Sequence, residues 1–213
     1  MTKLKVAFLF DESNNWLSKF FDEYIITKNG CDVHQFVYAE KISDFDIVFI
    51  LGYTKILPSD FLSRNGLNLV VHESDLPNGK GFAPIQWQLI EGKSEIKISL
   101  IEAVEEVDSG DIFLQHTINF VGSELYEEIR HKQAIATIGI IDDFIDKYPN
   151  VNRVKQIGEG SFYPKRKTKD GELDIEKTIK ENFNLLRVGN NEGWPSFFFY
   201  RGKKYIIKIY KDE

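Results

Sequence analysis

Short apolar runs alternate along the chain with segments in which apolar residues recur every three or four positions. A short apolar run is typical of a buried strand, whereas the wider spacing places apolar side chains on one face of a helix. The alternation predicts an α/β fold with a Rossmann-like, mostly parallel sheet flanked by helices. The predicted strands cover residues 4–10, 31–38, 46–51, 67–71, 96–103 and 112–118.

Three helices are predicted between and after these strands. The first lies near residues 14–27. A short helix is expected to begin at Pro84, since a proline at the first helical position loses no hydrogen bond, and to end at Gly92. The longest is expected to run from about Ser123, its predicted cap, to Lys147. Its expected apolar face carries Leu125, Ile129, Ile135, Ile138, Ile141 and Ile145.

A change in organisation follows Pro149, which ends the helical pattern and begins a more polar stretch. We therefore predict an α/β domain over residues 1–150 and a small α+β subdomain over residues 151–213. The subdomain is expected to hold a helix from Asp174 and a closing β-hairpin over residues 197–210, a candidate surface for a homodimer. The inward residues of that helix should be Ile175, Ile179, Phe183 and Leu186.

Charge and cysteine content narrow the class of protein. Among 213 residues, 27 are basic and 33 acidic, and the net charge of -6 disfavours general binding to nucleic acid phosphates. The single cysteine, Cys31, favours a reduced thiol and a cytoplasmic protein, and it cannot build a zinc site. No apolar run reaches membrane-spanning length, and the first residues lack the features of a signal peptide. The expected partner is a small molecule, with no nucleic acid, membrane or metal.

A histidine and an aspartate stand out as candidate chemistry. His72 follows the predicted strand 67–71 directly, and Asp108 follows the next strand in the acidic turn 105–111. Ligands bind beyond the carboxyl ends of strands in open α/β sheets, so both residues are expected at one edge of the sheet. An imidazole and a carboxylate that meet there can handle protons, with a rate effect of about 10² to 10⁴. From spacing alone, His72 could also be a loop residue that only forms hydrogen bonds, and the segment with Asp108 could be a turn without a catalytic role.

Several linked motifs resemble the formyltetrahydrofolate-dependent formyltransferases. They are the run from His72 to Pro77, the stretch VDSGDI at 107–112, and the later stretches 162–174 and 185–209. The resemblance is greatest to short sugar N-formyltransferases of pseudaminic-acid-type pathways and to the related formylation domain of nonribosomal peptide synthetases. The matching residues of the first region are His72, Ser74, Leu76, Pro77, Gly79, Gly81, Pro84, Gln86 and Gly92.

The resemblance implies transfer of a formyl group from the co-substrate 10-formyltetrahydrofolate to a primary amine. His72 would donate to the oxyanion or relay the amine proton, and Asp108 would set the protonation state of His72. Loops 79–87 and 104–110 would hold the pterin ring, largely through backbone groups. The implied folate-binding residues are Gly79, Gly81, Phe82, Pro84, Gln86, Trp87, Val104, Glu106 and Val107.

One position departs from the family pattern, which usually has an asparagine two places before the histidine. Val70 stands there in this chain. Asn68 lies on the same strand face but deeper, and Asn78 lies in the following loop, so either could replace the missing amide. Backbone N–H groups are the third possibility.

The acceptor amine is narrowed by what surrounds the motifs. The loop after the first strand, Phe10 to Trp16, has no glycine and two acidic residues, which disfavours a ribose phosphate. Family members that act on initiator tRNA carry a further C-terminal domain and a basic surface, so the resemblance and the acidic charge of this chain disfavour that acceptor. A free enzyme is expected in preference to a module of a peptide synthetase. A nucleotide-linked amino sugar is therefore expected, its base on an aromatic ring and its diphosphate on Lys165 or Arg187. Candidate acceptor-binding residues are Asp11, Trp16, Ser74, Tyr163, Lys165, Arg187 and Trp194.

Two other functions stay open. Val70 favours a degenerate α/β module that binds folate or a nucleotide without catalysis. A hydrolase that releases formate from formyltetrahydrofolate to water is the third. Ser74 has an alternative role in shaping its loop, and Trp194 has one in packing the turn around it.

Overall fold

The computed structural model describes residues 3–13, 16–27, 30–57 and 59–212. Its strands are β1 (Leu4–Phe10), β2 (Cys31–Phe36), β3 (Ile47–Leu51), β4 (Leu67–His72), β5 (Lys80–Gly81), β6 (Glu95–Glu102), β7 (Ile112–Asn119), β8 (Phe162–Tyr163), β9 (Ser196–Tyr200) and β10 (Lys203–Ile207). Its helices are α1 (Ser18–Thr27), α2 (Ser59–Ser63), α3 (Pro84–Ile90), α4 (Tyr126–Lys147) and α5 (Ile179–Arg187).

Within the described residues, six strands form the main sheet in the order β2-β1-β3-β4-β6-β7. The first four pair in parallel, and β6 and β7 are antiparallel to their neighbours. Strands buried on both faces need apolar residues at every position, which is why β3 and the buried residues 6–10 of β1 are continuous apolar runs. On one face Phe8 stacks on Phe49, while Leu9 and Val48 pack on the other. The predicted mostly parallel α/β fold is confirmed.

The direction of β6 corrects the predicted route to the site. The sequence predicts that His72 and Asp108 both follow the carboxyl ends of neighbouring strands at one edge. Instead, β6 is antiparallel to β4, and its last residue, Glu102, lies beside Leu69 near the start of β4. Residues 103–110 therefore fold back toward the far end of β4. His72 itself is the last residue of β4 and not the first beyond it.

Helix α4 begins later than the sequence predicts, at Tyr126 and not at Ser123. The carboxylate of Glu124 accepts the N–H groups of Val121 and Gly122, so these residues form a turn ahead of the helix. Glu128 then accepts the Leu125 N–H and satisfies a donor at the start of α4.

The prediction that Ile135 belongs to the apolar face of α4 is wrong. Ile135 is 56% exposed, while Ile129 and Ile141 are buried. A step of six residues turns a helix by about 600°, which puts Ile135 well away from Ile129. For the first predicted helix, residues 14 and 15 lie outside the described residues, and α1 begins at Ser18.

The C-terminal helix is also shorter than predicted. Helix α5 begins at Ile179, where the Thr178 hydroxyl accepts the Glu181 N–H and Glu181 accepts the Thr178 N–H in return. The prediction that Ile175 and Ile179 face inward is wrong, since they are 49% and 76% exposed. Leu186 is buried as expected.

The predicted β-hairpin is confirmed, with β9 and β10 joined through Arg201 and Gly202, both at positive φ. Lys203 and Lys204 belong to the second strand and not to the turn. The boundary at residue 150 stays a prediction. In the described part of the chain, no helix is both long enough and apolar enough to span a membrane.

Candidate active site

His72 and Asp108 meet at the end of β4. The Nδ1 atom of His72 lies 3.5 Å from Oδ1 of Asp108, and the two side chains are only 7% and 10% exposed. The other ring nitrogen, Nε2, lies 2.8 Å from the carbonyl oxygen of Gly79. A carbonyl oxygen can only accept, so Nε2 carries a proton and donates it to Gly79.

The position of that proton constrains the pair. If Nδ1 and the carboxylate both lacked a proton, two acceptors would face each other at close range. A proton taken up by either atom would relieve this repulsion, so the geometry suits the pair to accept a proton. The separation of 3.5 Å is longer than a strong hydrogen bond, while each group is held by a shorter bond on its other side, His72 to Gly79 and Asp108 to Gly81.

Asp108 is held in a conformation that few side chains adopt. Its φ is 54°, in the left-handed region, where aspartate and asparagine are tolerated better than most residues. Its second oxygen, Oδ2, accepts the Gly81 N–H at 2.8 Å. The carboxylate thus joins the loop after β4 to the loop after β6, with one oxygen on each partner.

Two glycines allow the loop after β4 to approach its neighbours closely. A Cβ at Gly81 would lie 2.4 Å from the carbonyl oxygen of Tyr163, because β5 and β8 pair there. A Cβ at Gly79 would lie 2.9 Å from Cβ of Ser74. Ser74 is 1% exposed, and its hydroxyl has no hydrogen-bond partner among the described residues. The hydroxyl therefore does not make the backbone hydrogen bond expected of a loop-shaping serine, and it is the Ser74 carbonyl that joins the loop to β6 by accepting from the Ser99 hydroxyl at 2.7 Å.

The predicted folate-binding residues divide into exposed and buried groups. Phe82, Val104 and Val107 are 40%, 42% and 57% exposed on the two loops that Asp108 joins, and we name these three side chains the apolar rim. Glu106 is also exposed in the second loop. Binding of a pterin ring by these residues stays a prediction.

Three other predicted folate-binding residues pack in or around α3. Pro84 and Gln86 are buried within that helix. With its amide turned so that both ends are satisfied, Gln86 accepts from Arg130 at 3.2 Å. Trp87 donates its indole N–H to the Pro164 carbonyl at 2.9 Å. These contacts favour structural roles for the three side chains beside the rim.

Val70 lies on the face of β4 that also carries His72, and it is half-buried. The described contacts place neither asparagine side chain against the His72–Asp108 pair, so the replacement of the missing amide stays a prediction. Asn68 is 6% exposed, and its side-chain N–H donates to the Leu62 carbonyl at 2.9 Å. Asn78 is exposed in the turn that follows. The pair of His72 and Asp108 is thus formed without a neighbouring asparagine side chain shown to join it.

Two predicted acceptor-binding aromatics contact other side chains. The guanidinium carbon of Arg130 lies 4.3 Å from the ring centroid of Trp16. Tyr163 stacks on Trp87 at 6.3 Å and donates its hydroxyl to Glu91 at 2.8 Å. Burial first, and then the Glu91 contact, raise the pKa of Tyr163 well above its ordinary value. Tyr163 therefore stays protonated and joins the subdomain to α3.

Lys165 and Trp194 are accessible to solvent. Lys165 is exposed, with Nζ 5.9 Å from the ring centroid of Phe82, so it lies next to the apolar rim. Trp194 is 60% exposed in the turn before β9, where its N–H donates to Asn190. Packing of the Trp194 ring, the alternative role, is therefore limited.

The structure buries Asp11 and Arg187, two residues that the sequence predicts to bind the acceptor. Asp11 is 0% exposed and accepts four hydrogen bonds, two each from Ser13 and Thr54. Burial alone would raise its pKa, but these bonds outweigh burial and hold the pKa far below its ordinary value. Arg187 is 2% exposed and lies 3.5 Å from Glu124. Asp11 is thus satisfied within the protein, whereas Nη1 of Arg187 has the ion-pair contact with Glu124 but no hydrogen bond among the described residues. Burial leaves neither side chain accessible to a substrate in this structure.

Sequence reasoning missed polar contacts around the pair. Lys80 Nζ donates to the Ser109 hydroxyl at 2.7 Å and so links the two loops a second time. Gln133 on α4 donates to the Glu73 carboxylate at 2.5 Å and accepts from Arg130 at 2.9 Å. The position of Lys80 between two glycines was a usable signal. Nothing in the spacing indicates that Gln133 meets Glu73.

A family model described as formyl transferase matches residues 6–138. The methionyl-tRNA formyltransferase of Thermodesulfovibrio yellowstonii is 30% identical over 184 residues, which cover 84% of this chain and 58% of that protein. The chain therefore spans little more than half the length of this relative.

Three solved structures share the fold. A methionyl-tRNA formyltransferase from Clostridium thermocellum has a TM-score of 0.83 at 18% identity, over 100% of this chain and 94% of that one. A sugar N-formyltransferase from Shewanella sp. has a TM-score of 0.72 at 15% identity, over 99% and 98%. HypX from Aquifex aeolicus, in complex with tetrahydrofolic acid, has a TM-score of 0.75 at 16% identity, over 98% and 38%.

Proposed function

Because the chain belongs to the formyl transferase family, we propose that it moves a formyl group from 10-formyltetrahydrofolate to the primary amine of a small acceptor. The observation that carries this proposal is the contact of His72 with Asp108 at 3.5 Å, both largely buried, inside the matched region. Two residues 36 positions apart in the sequence meet as a proton-handling pair, which a degenerate binding module would have no need to keep.

The reaction moves one proton as well as the formyl group. One carbon–nitrogen bond breaks at the folate, another forms at the acceptor, and the amine proton passes to the folate nitrogen. Nδ1 of His72 and Oδ1 of Asp108 both face the space between them, so either atom can receive a proton from the amine and release it to the folate nitrogen. The Gly79 carbonyl keeps the His72 ring oriented through Nε2.

The folate is proposed to bind along the apolar rim formed by Phe82, Val104 and Val107. These side chains lie on the two loops that Asp108 and Lys80 connect, so a ring held there would present its substituent to the His72–Asp108 pair. The complex of HypX with tetrahydrofolic acid supports a folate ligand for this fold.

We propose a nucleotide-linked amino sugar of surface-glycan biosynthesis as the acceptor. The net charge of -6 and the sugar N-formyltransferase neighbour support this class. Lys165 beside Phe82 is the proposed contact for the diphosphate, and Trp16 or Trp194 for the base. The similarity to methionyl-tRNA formyltransferases supports a competing acceptor, the aminoacyl end of a tRNA.

The test offers the protein 10-formyltetrahydrofolate with one acceptor at a time. Nucleotide-linked amino sugars and charged initiator tRNA are compared by mass spectrometry, which detects the added formyl group. Formylation of a sugar supports the whole proposal, and formylation of the tRNA alone would replace its acceptor. Formate release without any amine would favour the hydrolase. Folate binding with neither product would leave the non-catalytic module.

A further inference from the structure

One segment of the chain contacts both loops of the candidate site. We name residues 151–161 the strap. Val154 and Ile112 exchange two backbone hydrogen bonds of 2.8 Å at the base of the loop that carries Asp108. At the other end of the strap, Ser161 accepts the Lys80 N–H on its carbonyl and the Gly79 N–H on its hydroxyl, each at 2.9 Å. The strap thus connects the loop after β4 to the loop after β6.

Within the strap, Gln156 contacts the backbone of the residue that supplies the carboxylate. Its side-chain N–H₂ group donates to the Asp108 carbonyl at 2.9 Å and to the Gly110 carbonyl at 2.8 Å. Its own oxygen, Oε1, is buried and has no hydrogen-bond partner among the described residues. Gln156 therefore acts on this loop as a pair of donors, and its acceptor contributes nothing to the contact.

The loop needs an external constraint because its conformation is unfavourable in isolation. Asp108 has a φ of 54°, which a flexible loop would leave for more populated backbone states. Gly110 passes so near Glu102 that an added Cβ would lie 1.8 Å from the Glu102 carbonyl oxygen. The loop must also fold back from the end of β6 to reach His72. The two bonds from Gln156 hold the carbonyls on both sides of Ser109 in this arrangement.

We propose that Gln156 is a positioning residue for formyl transfer: its amide holds the backbone of Asp108 so that the carboxylate stays against His72 and Gly81. This inference rests on the proposed function, because it concerns the rate of that reaction. Gln156 need not touch either substrate. A shift of about 1 Å in a catalytic group can lower a rate by about 100-fold, so two hydrogen bonds to the loop can have a large effect.

The first test is Gln156→Met, which keeps the length of the side chain and removes both donors. The kcat for formyl transfer should fall roughly 10- to 100-fold, while the KM for the acceptor changes little. Gln35→Met is the matched control. Gln35 lies on the edge strand β2, is also half-buried, and donates to the Asp22 carboxylate. This variant should keep the wild-type kcat.

The second test is Gln156→Lys, which restores donors without an acceptor. A lysine ammonium can donate to both carbonyls, and the lost Oε1 had no partner among the described residues. This variant should recover kcat to within a few-fold of wild type. A residue needed only for folding would instead track thermal stability, and recovery would not follow the number of donors.

A measurement without turnover separates this inference from the proposed function. The ¹⁵N signals of the His72 ring report its contact with Asp108, so the Gln156→Met spectrum should move toward that of Asp108→Asn. The Gln156→Lys spectrum should stay near wild type. If Gln156→Met keeps both the wild-type kcat and the wild-type ring signals, the positioning role is wrong. If the wild-type protein formylates no amine, the proposed function fails, and the ring signals alone decide whether Gln156 positions Asp108.

Discussion

At the scale of single residues, the site depends on how the two ring nitrogens of His72 are used. The Gly79 carbonyl accepts the proton on Nε2, which leaves Nδ1 to face the Asp108 carboxylate. An amide in place of that carboxylate would keep its shape but could not take up a proton. Gly81 contributes through its backbone N–H, which binds the second oxygen of Asp108.

Asp108→Asn tests whether the reaction needs a carboxylate that can take up a proton. An asparagine keeps the shape and can still accept from the Gly81 N–H, but it cannot take up the amine proton. We expect kcat to fall by about 10² to 10⁴, with the thermal midpoint nearly unchanged. Initial rates at saturating donor and acceptor, with circular dichroism for the fold, provide the measurement. A variant that retains most of its activity would remove Asp108 from the mechanism.

Val70→Asn tests whether the departure from the family pattern limits the rate. Val70 is half-buried on the His72 face of β4, so an asparagine there would present an amide donor to the site. Loss of one oxyanion donor typically costs about 10² to 10³ in kcat, and its gain should raise kcat if backbone groups serve less well. Val70→Leu, which adds no donor, is the control. Equal rates in both variants would show that the chain has no need of this amide.

At the scale of secondary-structure elements, the short strands β5 and β8 hold the site together. They are too short to form an independent sheet, but their pairing joins the loop after β4 to the chain that follows the strap. The close approach at Gly81 makes this pairing possible. The antiparallel β6 and β7 then return the chain to the base of the second loop.

Gly81→Ala should disrupt the pairing of β5 with β8. Gly81 has a φ of 96°, and an added Cβ would lie 2.4 Å from the Tyr163 carbonyl, which is backbone and cannot move away alone. We expect a loss of roughly 1–3 kcal/mol in the free energy of unfolding, together with loss of formyl transfer. Gly30→Ala is the control, since Gly30 has a φ of 101° and an added Cβ would meet no atom of the described residues within 4 Å. Urea unfolding of both variants separates backbone strain from the steric clash.

The turn before α4 and the helix α5 meet in a buried ion pair. Glu124 contacts Lys132 at 2.6 Å and Arg187 at 3.5 Å. Burial alone would raise the pKa of Glu124, but Lys132 and the N–H groups of Val121 and Gly122 lower it from 4.5 to about 2. Its contribution to stability is fully present above about pH 4.5 and is lost as the pH falls toward about 2.

Glu124→Gln should therefore change how the free energy of unfolding depends on pH below neutrality. The variant is expected to lose roughly 3 kcal/mol near neutral pH, because the buried guanidinium of Arg187 loses its charged partner. The difference from wild type should shrink as the pH approaches the folded-state pKa of Glu124. Urea midpoints measured from pH 7 down to pH 3 give the curve. A difference that stays constant with pH would contradict the assigned pKa.

At the scale of the whole molecule, the described contacts join the predicted domain and subdomain. The strap bonds to both loops of the site, Trp87 donates to Pro164, and Arg187 pairs with Glu124. Because each contact links groups on both sides of residue 150, neither part can separate without exposing buried polar groups.

We therefore expect one cooperative unfolding transition. Far-UV circular dichroism and tryptophan fluorescence should give the same urea midpoint. Trp194→Phe, at an exposed position in the subdomain, leaves Trp16 and Trp87 as reporters and should show the same midpoint again. Two separate transitions would show that residues 151–213 unfold on their own.

The sequence by itself determined the parts of this protein that depend on local pattern. Continuous apolar runs predicted the buried strands, proline and glycine predicted the limits of α3, and linked motifs singled out His72 and Asp108. Each of these signals lies within a few residues, where propensity and periodicity act. The exposed Ile135 and Ile179 show where such signals end, since the side of a helix that meets the core is a property of its neighbours.

Only the tertiary structure decided how the site is assembled. The reversed direction of β6, the return of residues 103–110 to His72, and the burial of Asp11 and Arg187 all follow from pairing between distant segments. The same holds for Gln156, an unremarkable residue in a polar stretch that becomes a double donor to the backbone around Asp108. Sequence spacing carries no record of these contacts, because the free energy of a hydrogen bond or ion pair depends on which groups folding brings together.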